Sequence, residues 1–263
     1  LVRQEKRDWA TSLDGVLRQV VAAGITGWEP VFQTVGDVTA TTEALSRHGL
    51  SMRSFYSGGP LHNDQWPQTV ERIVAIGELA VRHGTKLAVV NPDPIRWGGP
   101  ENKSDDQLRT QAAALQTLGE RLAADGLTLC YHTHDAEMRA AAREFHHMML
   151  ATDPATVKLC LDPHWIYRGA GNSHVALMDI VRLYGRRVAE LHLRQSRQGT
   201  WDETIETGDI DHPALAAMLQ QAAVRPLIVL ERAIEKGTPA TMSPIEAHAR
   251  SRSYVRQCFA ALL

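Results

Sequence analysis

Residues 127–137 read LTLCYHTHDAE, a short apolar run that ends in two histidines, an aspartate and a glutamate. The run is too short for a helix and reads as a buried parallel strand. Three later segments share the design: VKLCLDPHW (Val157–Trp165), VAELHLR (Val188–Arg194) and PLIVLE (Pro226–Glu231). Each closes on a side chain that suits a metal ion. The leading candidates are Glu137, Asp162, His192 and Glu231, with His132, His134 and His164 close by. Three carboxylates and an imidazole suit a hard-to-borderline divalent ion such as Mn2+, Mg2+ or Co2+. Laid side by side, the strands gather these groups at one end of a sheet, where such folds place their chemistry.

Outward from these segments, the chain alternates strand and helix without a linker. A short strand at Leu1–Gln4 precedes a helix from about Ser12 to Ala23, closed by Gly24. Strands follow at Ile25–Pro30, Leu50–Tyr56 and Lys86–Asn91, with helices at residues 39–48, 68–83 and 104–124. Ser104 is placed to cap the last of these, with Asp105 and Asp106 in its first turn. The second half adds strands at residues 127–132, 157–161, 188–193 and 227–231. Its helices fall at 139–150, 173–184, 213–223 and 244–262. The SGG after Tyr56 and the NPDPIRWGGP stretch after strand 4 read as turn and loop. Eight βα units in 263 residues match an α/β fold, a single (β/α)8 TIM barrel spanning residues 1–263. The competing doubly wound open sheet lacks a GxGxxG turn after the first strand.

Composition bounds the partners. An apolar fraction of 44% and a charged fraction of 22% are ordinary for a globular chain. The three cysteines, Cys130, Cys160 and Cys258, have no CxxC spacing, and two lie inside apolar strands as expected of buried thiols. A formal charge of −2 argues against nucleic acid or an anionic membrane as partner. No apolar stretch approaches the roughly 18 residues of a membrane span. A cytoplasmic location is expected, with export left open because the chain begins at Leu1 rather than Met. Assembly into a homo-oligomer is also left open.

Alternation along strands sorts the side chains. Glu190, His192 and Arg194 share one face of strand 7. Cys130 and His132 share a face of strand 5, with His134 next if the chain stays extended, and Leu227, Val229 and Glu231 share a face of strand 8. A carboxylate ending a buried strand, as at Glu231, is costly unless something compensates it.

The pattern from AGITGWEP (Ala23–Pro30) through YHTHDAE, LDPHW and LHLR to VLE resembles the xylose isomerase-like TIM-barrel superfamily, its sugar phosphate isomerase/epimerase group. The resemblance implies one catalytic divalent ion, Mn2+ first, with Mg2+, Co2+ or Zn2+ as alternatives. Carried over position by position, the ligands become Glu137, Asp162, His192 and Glu231. YHTHDAE is similar to the YHNHxxE variant found in inosose dehydratase-like members. There the strand itself ends in His, which makes His132 or His134 a replacement for Glu137. The zinc-dependent DNA-repair branch has a His three residues after the strand 6 Asp, whereas His164 is only two residues after Asp162. Arg194 and Gln195 stand where many epimerases have Lys and Asp, and Glu206–Asp211 resembles the group's GxGDID loop, to which we assign a loop-shaping role.

The resemblance implies removal of a proton beside a sugar carbonyl and stabilisation of the resulting enediolate. Glu137 and Glu231 are the expected acid/base pair for isomerisation or epimerisation. With a leaving group on the next carbon, the same site gives a lyase, dehydratase or hydratase acting on a keto-sugar or keto-inositol. In that case His132 or His134 is the acid that protonates the departing hydroxyl. Trp165 and Trp201 are candidate stacking platforms for a carbohydrate ring, and Asn91, His134, His164, Arg168 and Arg194 are candidate hydrogen-bonding groups. Glu29 is read as structural, and His146 and His147 as surface residues. A non-catalytic sugar-binding barrel is the reading from a different class.

Overall fold

The computed structural model describes residues 9–263, with side chains from Leu13 onward; the expected first strand, Leu1–Gln4, lies outside the described residues. Helices α1 (Trp9–Ala22) and α2 (Gly36–Arg47) come first, followed by β1 (Ser54–Gly59), α3 (Trp66–Ala80), β2 (Leu87–Pro92) and α4 (Asp105–Ala124). Next are β3 (Thr128–Tyr131), α5 (Arg139–Ala151), β4 (Val157–Leu161), the short α6 (Pro163–Gly169) and α7 (His174–Tyr184). The chain continues with β5 (Val188–Leu193), a small antiparallel pair β6 (Ser196–Arg197) and β7 (Thr200–Trp201), α8 (His212–Gln221), β8 (Leu227–Leu230) and α9 (Pro244–Cys258). Six strands pair in parallel in the order β1-β2-β3-β4-β5-β8.

One contact demonstrates how far the sheet has rolled. Ser54 on β1 donates a hydrogen bond of 3.0 Å to Glu190 on β5, across three intervening strands. In a flat sheet those strands would lie about 19 Å apart. The two side chains can touch only if the sheet curves into a barrel, with α1 packing against α9 on the outside. Alternation does the rest. Phe55, Val90, Leu129, Tyr131, Leu159, Leu161, Leu191 and Leu193 face the helices and join the main core. Val89, Cys130 and Cys160 point the other way and form a small separate cluster with Tyr56 and Ala189 inside the barrel. All three cysteines are free thiols, the two on strands fully buried.

Local sequence explains the boundaries. Ser104 forms a reciprocal capping box with Gln107 at the head of α4. Gly84, at φ 85°, stops the single 3-10 turn that follows α3. Three expectations need correction. The Ile25–Pro30 segment and the residue after it make isolated parallel bridges, Gly27 with Ser51 and Val31 with Tyr56, rather than a continuous ladder. Four residue steps on one side face five on the other, and the extra residue breaks the register. β1 begins later than expected and runs through the SGG read as a turn, because Gly58 and Gly59 pair with Asn91 and Pro92. A β-carbon on Gly58 would lie 2.7 Å from the carbonyl oxygen of Asn91, so glycine permits this approach. Finally, Ala140, Ala141 and Ala142 adopt φ values of 48°, 59° and 55°, so regular helix in α5 begins only after them.

Candidate functional site

Inward-facing residues stack in layers up the barrel toward the C-terminal ends of the strands. At the lowest layer, the Ser54 hydroxyl bridges Glu29 at 2.7 Å and Glu190 at 3.0 Å. Burial, reinforced by the Glu29 charge, raises the Glu190 carboxyl to about 8. Only 8% of the Glu29 side chain is exposed and desolvation would raise its carboxyl, yet the neighbouring His192 holds it below the usual range. One layer up, Nε2 of His192 lies 3.2 Å from Glu29 and 3.4 Å from Glu190. Burial works against a charged imidazole here, but Cys160 and Glu29 outweigh it and raise His192 well above its ordinary pKa.

The top layer holds His132, Asp162, Arg194 and Glu231. Donor atoms of His132, Asp162, His192 and Glu231 all lie within 4.8 Å of one another. Asp162 divides its two oxygens. Oδ1 caps α6 by accepting the backbone N–H groups of His164 and Trp165, both at 3.0 Å. Oδ2 faces the cluster, 2.8 Å from Arg194 and 3.8 Å from Nε2 of His132. Burial would raise the Asp162 carboxyl, but Arg194 and His132 hold it down to about 2. Glu231 accepts from His192 Nδ1 at 3.2 Å and forms a close ion pair with Arg194. Those two partners overcome desolvation and hold its carboxyl well below the ordinary range. The donor set, two carboxylates and two imidazoles, matches the chemistry of a borderline divalent ion. His132 Nε2 is buried without a hydrogen-bond partner among the described residues, as an unfilled ligand position would be. The residues therefore fit such an ion.

Glu137 is the expected ligand that the fold does not bring to this cluster. It sits in a 3-10 turn, fully buried, and its two oxygens accept from the Asn91 side chain at 3.2 Å and the His134 backbone N–H at 2.8 Å. Burial, with Glu144 adding to it, raises its carboxyl to about 7. His132, the last residue of the YH pair, occupies the corresponding place around the cluster. Asn91 is buried but borders the cavity, and it donates also to the His132 carbonyl at 3.1 Å.

A cavity opens above the cluster, lined among others by Tyr56, His134, Trp97, Trp165 and Trp201. Trp165 and Trp201 meet edge to face with centroids 5.6 Å apart, and the Arg194 guanidinium lies 5.2 Å and 5.5 Å from their rings. His134 packs edge-on against Trp165 at 5.1 Å and Trp97 at 5.4 Å. Burial pushes its pKa down to about 3, so it is neutral. His164 is fully buried and accepts the Trp201 indole N–H at 3.3 Å. Arg168 is held by both oxygens of Glu235, at 2.8 and 3.1 Å, and stacks 4.7 Å from Trp201. His164 and Arg168 thus brace the tryptophan wall. In the 206–211 loop, Asp209 accepts from Ser196 Oγ and from the backbone N–H groups of Gln198 and Gly199, pinning the β6–β7 hairpin.

Sequence reasoning missed the lower layer. Glu29 was read as structural, and Ser54, Tyr56 and Cys160 carried no motif. The parity of Glu190 with His192 was the available signal, since two acidic or basic groups on one interior face seldom stand without mutual contacts.

Known proteins give an independent measure of this chain. The model of the xylose isomerase-like TIM barrel family matches residues 17–258. An inosose dehydratase from Geobacillus thermodenitrificans (strain NG80-2) is 23% identical over 269 residues, covering 92% of this chain and 88% of its own length. A 3-keto-D-glucoside 4-epimerase from E. coli, in its apo form, superposes with a TM-score of 0.70 at 17% identity, over 94% of this chain and 95% of its own. A xylose isomerase-like TIM barrel protein from Mycobacterium smegmatis, in complex with magnesium, superposes with a TM-score of 0.73 at 11% identity, over 95% and 89%. With most of its length matched by one family model and its strands rolled as that fold requires, this chain belongs to the xylose isomerase-like TIM barrel family.

Proposed function

We propose that this chain is a divalent-ion-dependent lyase of the dehydratase type, acting on an uncharged keto-sugar or keto-polyol. One observation carries the reading: Glu231 is the only glutamate of the expected acid/base pair that stands at the ion cluster. Glu137 is buried and committed to Asn91 and His134. Epimerisation needs proton carriers on both faces of the substrate carbon. Elimination needs a base for the proton beside the carbonyl and a proton for the hydroxyl that leaves the next carbon, and one carboxyl group on a single face can serve both in turn. The relatedness to an inosose dehydratase over most of both chains supports this reading.

His132, Asp162, His192 and Glu231 would hold the ion. When bound, it would supply Lewis-acid stabilisation of the charge that develops on the carbonyl oxygen as the neighbouring proton leaves. Glu231, ionised at neutral pH, accepts that proton and passes it to the departing hydroxyl, which leaves as water and returns the carboxylate to its ionised form. Trp165 and Trp201 offer apolar faces to the ring and, with His134, exclude water from the reacting carbon. Arg168, a cation of this wall that lies outside the ion cluster, already has a carboxylate partner in Glu235. That pairing favours a neutral polyol over a sugar phosphate.

A second reading, isomerisation or epimerisation, draws on Tyr56, whose hydroxyl lies 3.4 Å from His132 Nδ1 at the same cavity. That pair could return a proton on the face away from Glu231. The two separate in a screen of ketoses, 3-keto-sugars and keto-inositols with Mn2+ in deuterated water. A product lighter by one water supports elimination. Deuterium entering an otherwise unchanged sugar supports the second reading. No turnover of any member would overturn both.

A further inference from the structure

Arg194 lies two residues beyond His192 on the same interior face, and only 4% of its side chain is exposed. A single nitrogen, Nη2, is 2.8 Å from Asp162 Oδ2 and in closer contact with Glu231 Oε2. These are the two anionic members of the ion cluster; the other two are imidazoles. Asp162 has no spare oxygen, because Oδ1 is committed to the head of α6. Oε2 of Glu231 is the atom that also meets His192. The guanidinium is therefore bound to the carboxylate oxygens that a divalent ion would claim. It is held there in a desolvated place against two indole faces, where a delocalised cation is favoured. Its Nε is buried with no partner among the described residues, so no further contact anchors that end of the group.

We propose that Arg194 and the divalent ion are alternative partners of Asp162 and Glu231. The guanidinium satisfies the two carboxylates while the ion is away, and it must release at least one of them for the ion to enter. Two consequences follow from charge alone. Ion affinity is lower than a site of two carboxylates and two imidazoles would otherwise have. In the loaded protein, Arg194 presents freed N–H groups beside Trp165 and Trp201, in the wall of the substrate cavity, where they can donate to a substrate oxygen. Loading the ion and preparing the sugar-binding wall are then one event. The inference rests on the ion reading of the cluster given above.

The test is direct Mn2+ binding, measured by titration calorimetry and by the electron spin resonance of free Mn2+, on the chelator-treated full chain. Arg194→Met removes the charge at similar length, and Arg194→Lys keeps it. We expect Arg194→Met to bind Mn2+ at least tenfold more tightly than the parent, and Arg194→Lys to stay within about threefold. Titration with diamagnetic Mg2+ should change the tryptophan emission of the parent, and that change should shrink in Arg194→Met. If Arg194→Met is poorly folded alone, Mn2+ should raise its melting temperature more than that of the parent. Equal or weaker Mn2+ binding by Arg194→Met, or an equal or smaller thermal gain, overturns the competition while leaving the ion reading intact. Failure of every chain to bind Mn2+ overturns the ion reading and this inference with it.

Discussion

Oε1 of Glu29 lies 3.2 Å from Nε2 of His192, closer than Oε1 of Glu190, which approaches the same nitrogen at 3.4 Å. The imidazole therefore has carboxylates beneath it and presents Nδ1 upward to Glu231. Carboxylates behind a ligating histidine orient the ring and raise its basicity. Glu29 is the ionised member, whereas burial keeps Glu190 protonated to about 8. Glu29→Gln should weaken Mn2+ binding by roughly 10- to 100-fold. Glu190→Gln, close in shape and charge to the neutral acid, should change it by less than the Glu29 substitution does. Calorimetric titration of both variants checks the order, and the reverse order would contradict the assignment.

The two rim tryptophans differ in how their indole N–H groups are placed, and stability should reveal it. Trp201 donates to the buried His164, while the buried Trp165 Nε1 has no partner among the described residues. Trp201→Phe strands an acceptor and should cost about 1–3 kcal/mol. Trp165→Phe removes an unsatisfied donor and should be near neutral. Denaturant unfolding of the chelator-treated proteins measures both, and equal losses would refute the contrast.

Glu137 predicts a pH effect. Its folded carboxyl is raised to about 7 by burial and Glu144, above its ordinary 4.5. The folded chain thus holds a proton that the unfolded chain has lost between those values. The stability linked to this proton is present below about pH 4.5 and is lost as pH rises through 7, up to about 3 kcal/mol in all. Relative to Glu137→Gln, the parent should lose stability from pH 5 to pH 8. Unfolding curves across that range test it; a flat or rising difference would count against a protonated Glu137.

Charge pairing at the rim predicts substrate preference. With Arg168 engaged by Glu235, a phosphorylated ketose should have a kcat/KM at least tenfold below that of its uncharged counterpart. Arg168→Met should leave the ranking unchanged. Steady-state rates on matched pairs decide the matter, and a preference for the phosphate would reverse the assignment of a neutral substrate.

Much of the barrel was legible because its strands are short apolar runs bounded by glycine, proline and caps, as at Gly84 and Ser104. The six paired strands fall within the expected segments or a few residues beyond them. The segment around Trp28 was harder, since a register break there leaves bridges that alternation cannot foresee. In the candidate site, Asp162, His192 and Glu231 were visible as polar ends of apolar strands. His132 rather than Glu137 faces the cluster, because the four residues between them lead into the 3-10 turn that carries Glu137. Periodicity ends where the strand ends, so it could not say which would face inward. The Glu29–Ser54–Glu190 layer was hidden for another reason: its members are far apart in sequence and meet only once the sheet has closed.

The forked role of Asp162 gives the cavity a common point of reference. One oxygen is fastened to the first turn of α6 and the other faces the ion cluster. The same helix carries Trp165 and Arg168, the stacking face and its brace. Any pull on the cluster side of this carboxylate is transmitted through two amides to the surface on which a sugar would rest. The height of that surface above a reacting carbon would then be gauged from the same carboxylate that would help hold the ion. A substitution that shortens or lengthens residue 162 would shift both together, misaligning chemistry and recognition in a single stroke.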